Sequence, residues 1–331
     1  MTSPTAPIAH PSLPGLALAG SIAAGALVLR QLSGIAVLSP MILSVLAGLA
    51  IGSLWRVPPR LAPGLALATR PVLRAGIVLL GFQITLGQIG ALGPAAFAVS
   101  ALTLLATFLA VRLAGRALGM AGPLTDLIAA GTAVCGASAV IAANPVARGS
   151  DEDVAYAVAC VTIFGTLAML AAPLLAGPLG LAGASYGIWT GASIHEVAQV
   201  TAAAFQLGDA AGQAGTVAKL IRVMLLAPLV LGMALALRGR AQGGVSVPVP
   251  WFVFGFVTAM LINSATPLPD ALREGLALLA GLLLATGLAA MGLMTDPRRL
   301  WARGARPLLL GAFGWVFAAG FAWAAVIFLG A

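Results

Sequence analysis

Long apolar runs bounded by Arg, Pro and Gly recur along this chain at the length a bilayer requires. They predict eleven membrane helices, at about 13–29, 40–55, 71–89, 94–111, 124–147, 153–176, 185–206, 214–237, 250–265, 270–296 and 306–330. The expected fold class is therefore all-α integral membrane. Residues 1–12 are polar and Pro-rich and are expected to form a disordered tail, followed by a single transmembrane domain over 13–331. No basic segment precedes Leu13–Leu29, so that stretch reads as a retained first helix rather than a secretory signal.

Composition agrees with the pattern. Hydrophobic residues make up 61% of the 331 positions and charged ones 8%, too little charge to clothe a water-soluble surface. The net charge of +8 does not make a nucleic-acid footprint, because the basic residues fall between apolar runs. With the N-terminus cytoplasmic, eleven of them (Arg56, Arg60, Arg70, Arg112, Arg116, Arg238, Arg240, Arg298, Arg299, Arg303 and Arg306) share one side. Arg30, Arg148, Lys219 and Arg273 take the other, while Arg74 and Arg222 lie within spans. Eleven against four predicts a cytoplasmic N-terminus and a periplasmic C-terminus. Cys135 and Cys160 both lie inside spans and suggest no disulfide framework.

With the first span set aside, ten remain, divisible into two five-helix halves that an odd span number would invert. Leu73-Arg74-Ala-Gly in span 3 and Ile221-Arg222-Val-Met in span 8 correspond in this division. Span 5 carries Gly131-Thr-Ala-Val-Cys-Gly-Ala-Ser-Ala-Val-Ile-Ala-Ala-Asn-Pro145, and span 10 carries Ala285-Thr-Gly-Leu-Ala-Ala-Met-Gly-Leu-Met-Thr-Asp-Pro297. Both are expected to break, and irregular backbone survives in lipid only where protein buries it or a cavity adjoins it. Matched breaks point to the binding site of a secondary transporter.

The candidate substrate-binding residues are Thr132, Cys135, Gly136, Ser138, Asn144, Thr286, Gly287, Asn263 and Arg222. Unwinding near Ser138 would aim backbone N–H groups and a half-helix N-terminus at an anion. Close packing alone would also explain the Gly and Ala there. Asn263 either caps a turn or faces span 5. Span 7 holds His195, Glu196 and Gln199, an ionisable pair with an amide four residues after the His, as on one helical face. These are candidates for proton coupling, because His changes charge near neutral pH; a structural contact between helices is the other reading. Arg222 offers a fork of donors matched to oxyanions. Lys219, read near the outer end of span 8, could snorkel to the interface. Asp126 and Glu274 read as first-turn acids. No metal set, nucleotide motif or nucleophile elbow occurs, so no cofactor and no enzymatic activity are expected.

Taken together, Leu73–Leu86, Gly131–Ala139, Ile194–Gln199, Lys219–Pro228 and Pro250–Phe256 through Asn263-Ser264 resemble the family of bacterial membrane proteins catalogued as sulfate exporters. That family is similar in architecture to the bile-acid symporter and sodium–proton antiporter superfamily. The resemblance implies a panel of spans 2, 3, 7 and 8 (about 40–89 and 185–237) and a core of spans 4–6 and 9–11 (about 94–176 and 250–330). Spans 5 and 10 would cross within the core, which would move by an elevator mechanism. Antiporters of that superfamily place acidic residues near the crossing; none is expected at this one, which argues against a simple cation exchanger.

The resulting expectation is a secondary transporter of the bacterial inner membrane that exports a small anion, sulfate or an organosulfonate. H+ or Na+ is the coupling ion, lipid surrounds the chain, and the resemblance allows a homodimer. A sodium-coupled importer of an organic anion and a non-coupled, channel-like membrane protein are the rivals.

Overall fold

The computed structural model describes residues 12–33, 40–55, 57–120, 122–236, 251–266, 268–295 and 304–331. The tail expected over 1–12 lies outside the described residues apart from Ser12, as do Arg56, Arg238, Arg240, Arg298, Arg299 and Arg303.

Among the described residues the chain is helical and has no strand. The helices are α1 Leu13–Ser33, α2 Pro40–Leu54, α3 Pro59–Gln83, α4 Leu86–Ala117, α5 Pro123–Ala133 and α6 Ala137–Ala147. They continue with α7 Asp151–Leu175, α8 Gly183–Ser193, α9 Val197–Ala204, α10 Asp209–Met224, α11 Leu226–Ala236, α12 Trp251–Ala265, α13 Asp270–Met294 and α14 Ala305–Leu329. Helix thus lies over every segment expected to be apolar and spanning. Among the described residues seven stretches are long and apolar enough to cross a membrane, and shorter apolar helices accompany them.

Local chemistry sets several ends. Ser150 and Asp153 form a reciprocal capping box that starts α7. Asp126 is a first-turn acid of α5 and also pairs with Arg112 at 2.8 Å. Gly93, at φ 66°, bends α4 just before Pro94. Between α3 and α4, Ile84 is extended; Asn263 Nδ2 donates to its carbonyl at 3.1 Å, while Ser264 Oγ accepts from the Leu86 amide at 2.9 Å. Asn263 therefore bonds the link between α3 and α4, far from it in sequence.

Two compact units divide the chain. The first comprises residues 1–76 and 278–295. Its core is Ala19, Leu61, Leu65, Ala68, Ala289, Ala290 and Leu293. Helices α2 and α13 touch there backbone to backbone: a Cβ on Gly292 would lie 2.7 Å from the Leu49 amide. The expected break in span 10 does not occur among the described residues; Asp296 and Pro297, which end that run, lie outside them. Helix α13 runs unbroken from Asp270 to Met294, with Thr286 Oγ1 bonded at 2.8 Å to the Leu282 carbonyl one turn back. Gly287 packs on Leu73. A single glycine is tolerated within a helix, and here its missing side chain makes room for a neighbour rather than for a bend.

The second unit, residues 77–277 and 296–331, contains both helix pairs α5/α6 and α8/α9. Its closest packing is α8 against α10. Gly187 and Gly191 on α8 meet Ala211, Gly215 and Ala218 on α10; a Cβ on Gly191 would lie 2.8 Å from that of Ala218 and 3.0 Å from the Lys219 amide. Small residues one turn apart let helices approach this far without strain. Span 8 begins at Asp209 and runs to Ala236, five residues earlier than expected at its start, because Asp209 and Gln213 disguise the first turns. Lys219 and Arg222 are therefore the eleventh and fourteenth of 28 residues, near its middle, and not at an end.

Gly191→Val is expected to force α8 and α10 apart and to cost about 1–3 kcal/mol, the range for overpacking. Gly232→Ala, where an added Cβ meets nothing within 4 Å, is the control and should be neutral or slightly stabilising. Thermal unfolding of the two purified variants in detergent measures the difference.

Candidate functional site

Span 5 breaks where its small residues suggested. Helix α5 ends at Ala133, Val134 leaves helical geometry (φ −115°, ψ −88°), and Gly136 takes φ 64° before α6 begins. Gly136 serves two purposes here. Its backbone lies in a region that side chains rarely adopt, and an added Cβ would collide with the Glu196 carboxylate. The second break is in span 7. Helix α8 ends at Ser193, Ile194 and Glu196 are extended (ψ 148° and 147°), and α9 starts at Val197.

The two breaks meet. Glu196 Oε1 accepts the Ala137 amide at 2.8 Å and so caps the N-terminus of α6. A carboxylate there also opposes the positive end of the helix dipole. Gln199 Oε1 accepts the Glu196 amide at 3.1 Å, and Gln199 Nε2 donates to the Thr162 carbonyl and the Thr166 hydroxyl, each at 3.3 Å. His195 thus stands in the extended link and does not share a helical face with Gln199. An acid, Glu196, thus stands at the break of span 5.

The C-terminal ends of α5 and α8 present carbonyls that no helix continues to satisfy. Two cations from α10 supply the donors. Lys219 Nζ donates to the carbonyls of Val134 and Ile194, at 2.6 Å each. Arg222 Nε donates to Ala133 at 2.9 Å, and Nη2 donates to Thr132 at 3.0 Å and also to Ala133. Nη1 makes longer contacts of 3.5 Å with Gly191 and Ile194. Both side chains are 0% exposed. Five donor contacts account for all five N–H groups of the guanidinium, whereas the ammonium still has a third. Lys219 does not snorkel: its head is fixed between two broken helices.

The remaining candidates fall as follows. Cys135 is buried within the first break, and Ser138 is half-buried in the first turn of α6. The Thr132 hydroxyl and both His195 ring nitrogens are buried without a hydrogen-bond partner; among the described residues only the Thr103 and Thr107 hydroxyls of α4 share that condition. Asn144 is a local cap: its Oδ1 accepts the Gly149 amide at 2.9 Å beyond the end of α6. Asn263 caps the link between α3 and α4. Thr286 and Gly287 belong to the other unit. Lys219, expected to snorkel and so not counted among the candidates, joins the junction, and the signal lay in its place one turn from Arg222 on one helical face.

The family model described as "Conserved hypothetical protein 698" matches residues 14–311. The chain is 36% identical over 315 residues to "UPF0324 membrane protein TauZ" of Paracoccus denitrificans, covering 93% of this chain and 92% of that one. It is 36% identical over 325 residues to "UPF0324 inner membrane protein YeiH" of Salmonella typhi, with the same coverage. No solved structure matches. The chain belongs to this family of membrane proteins.

Two substitutions test the junction. Arg222→Met removes every donor from the Thr132 and Ala133 carbonyls, and each orphaned buried group costs roughly 1–3 kcal/mol, so a loss of about 3 kcal/mol or more is expected. Gly136→Ala meets both the φ penalty and the Glu196 carboxylate, and should lose roughly 2–4 kcal/mol. Thermal unfolding reads both, with Ser138→Ala as a neighbour expected to unfold like wild type.

Proposed function

We propose that this member of the family is a secondary active transporter that exports a small anion, sulfate or an organosulfonate, across the bacterial inner membrane. The observation that carries the reading is the pair of fully buried cations, Lys219 and Arg222, held by backbone carbonyls of two interrupted helices. Ionisable groups in the middle of a span are costly and mark a transport pathway by default. The carbonyls satisfy the cations without cancelling their charge, and Glu196 is the single carboxylate bonded at the junction among the described residues. The excess is positive, which suits an anion.

The anion is assigned to the α6 and α9 ends of the breaks, where half-helix N-termini point backbone amides. Ser138, Cys135, Thr132 and the third N–H of Lys219 are the side-chain contacts proposed for it. Arg222 contributes charge and position rather than direct contacts, since its donors are engaged. His195 and Glu196 are assigned to proton coupling, with Gln199 orienting the Glu196 backbone. Two five-helix halves, spans 2–6 and 7–11, each contributing to a panel (spans 2, 3, 7 and 8) and a core (spans 4–6 and 9–11) that move in an elevator cycle, belong to the same proposal, with the site at the breaks of spans 5 and 7. So do the cytoplasmic N-terminus, the periplasmic C-terminus and a homodimeric assembly.

Uptake of labelled sulfate and of small sulfonates into proteoliposomes, driven by counterflow, tests the reading. Saturable flux for at least one of them is expected, together with saturable thermal stabilisation of the detergent-purified protein by the same anion. His195→Ala and Glu196→Gln should flatten the pH dependence of that flux; if both leave it unchanged, the coupling assignment fails. Non-saturating flux would favour a channel.

A further inference from the structure

The partners of Lys219 are unlike those of an ordinary buried lysine. The ion pairs Arg112–Asp126 and Arg273–Asp270 do not involve it. Glu196 spends its bonded oxygen on the Ala137 amide. The two hydrogen bonds from Nζ both end on main-chain carbonyls, one from each broken helix, and both at 2.6 Å. Arg222, one turn on, adds the carbonyls of Thr132 and Ala133.

Carbonyls released by unwinding, together with the negative C-terminal ends of half-helices, are the oxygen set with which transporters coordinate an alkali cation at such breaks. Here the same kind of set converges on an ammonium that the chain itself supplies. The close packing of Gly187 and Gly191 on α10 is what brings the α8 end within reach of it.

We propose that Lys219 is a tethered cation standing where a dissociable one would otherwise bind, so that the paired breaks assemble without sodium or potassium. The inference rests on the anion-carrier reading for its meaning in transport: the coupling ion is then not sodium. Its test reads stability and works whether or not an anion is the cargo.

The experiment compares melting temperatures of the detergent-purified full chain in NaCl, KCl and choline chloride at equal ionic strength. Wild type should melt at the same temperature in all three. Lys219→Ala, which opens a space lined by the Val134 and Ile194 carbonyls, should melt lower. It should then be restored selectively by sodium or by methylammonium, by about 5 °C once the ion exceeds its dissociation constant a hundredfold. Lys219→Met, which fills the space without charge, should melt lower and respond to neither ion. A selective sodium response of the wild-type protein overturns the proposal. So does a folded Lys219→Ala that ignores both ions. If Lys219→Ala yields no folded protein, the wild-type comparison decides alone, supporting the proposal when sodium has no selective effect. Failure of every anion to bind would remove the transport reading and leave this result standing.

Discussion

A carbonyl at the end of a helix needs a donor, and the interior of a bilayer holds no water to provide one. Two helices of this protein end in mid-span, at Ala133 and at Ser193. Each end exposes carbonyls in the middle of an apolar chain, and the structure is arranged around satisfying them. Helix α10 carries Lys219 and Arg222 one turn apart, and the glycines of α8 let α10 come close enough for both to reach. Neither half of the arrangement stands alone: the carbonyls need the cations, and the cations, 0% exposed, would be prohibitively costly to bury without the carbonyls.

The N-terminal ends at the breaks are treated differently. Glu196 belongs to the second break and caps the first, so the links between α5 and α6 and between α8 and α9 share one hydrogen bond as well as two cations. Gly136 makes this possible by leaving room for the carboxylate. Gln199 fixes the Glu196 backbone in turn and is anchored on Thr162 and Thr166 of α7. The chain from α7 to α6 runs through defined groups with alternating donors and acceptors.

Much of this was legible in the sequence, for identifiable reasons. Apolar runs gave the helices, and the run around Cys135-Gly136 marked a true break because it combines a glycine at positive φ with small neighbours. The run around Thr286-Gly287 has similar composition and stays helical, because Leu73 fills the space beside the glycine. Composition does not distinguish a glycine that bends from one that accommodates a neighbour. The break at Ile194–Glu196 was hidden for the opposite reason: the adjoining segment contains no proline, and the His195–Gln199 spacing imitates a helical face. Lys219 was misplaced because polar residues at the start of α10 made the span look shorter than it is.

The division of labour between the two cations follows from donor counting. Five guanidinium N–H groups meet carbonyls, so Arg222 is committed to the helix ends; the ammonium of Lys219 keeps one donor. Dipoles stabilise a cation without neutralising it, which is the physical difference between this junction and an ion pair. At an effective dielectric of about 20, a charge 4 Å away feels roughly 4 kcal/mol, against about 1 kcal/mol in bulk water. A salt-bridged lysine would have cancelled that field. Satisfying Lys219 and Arg222 with carbonyls retains it at the paired breaks, where Glu196, bonded to the Ala137 amide, is the carboxylate that stands against it.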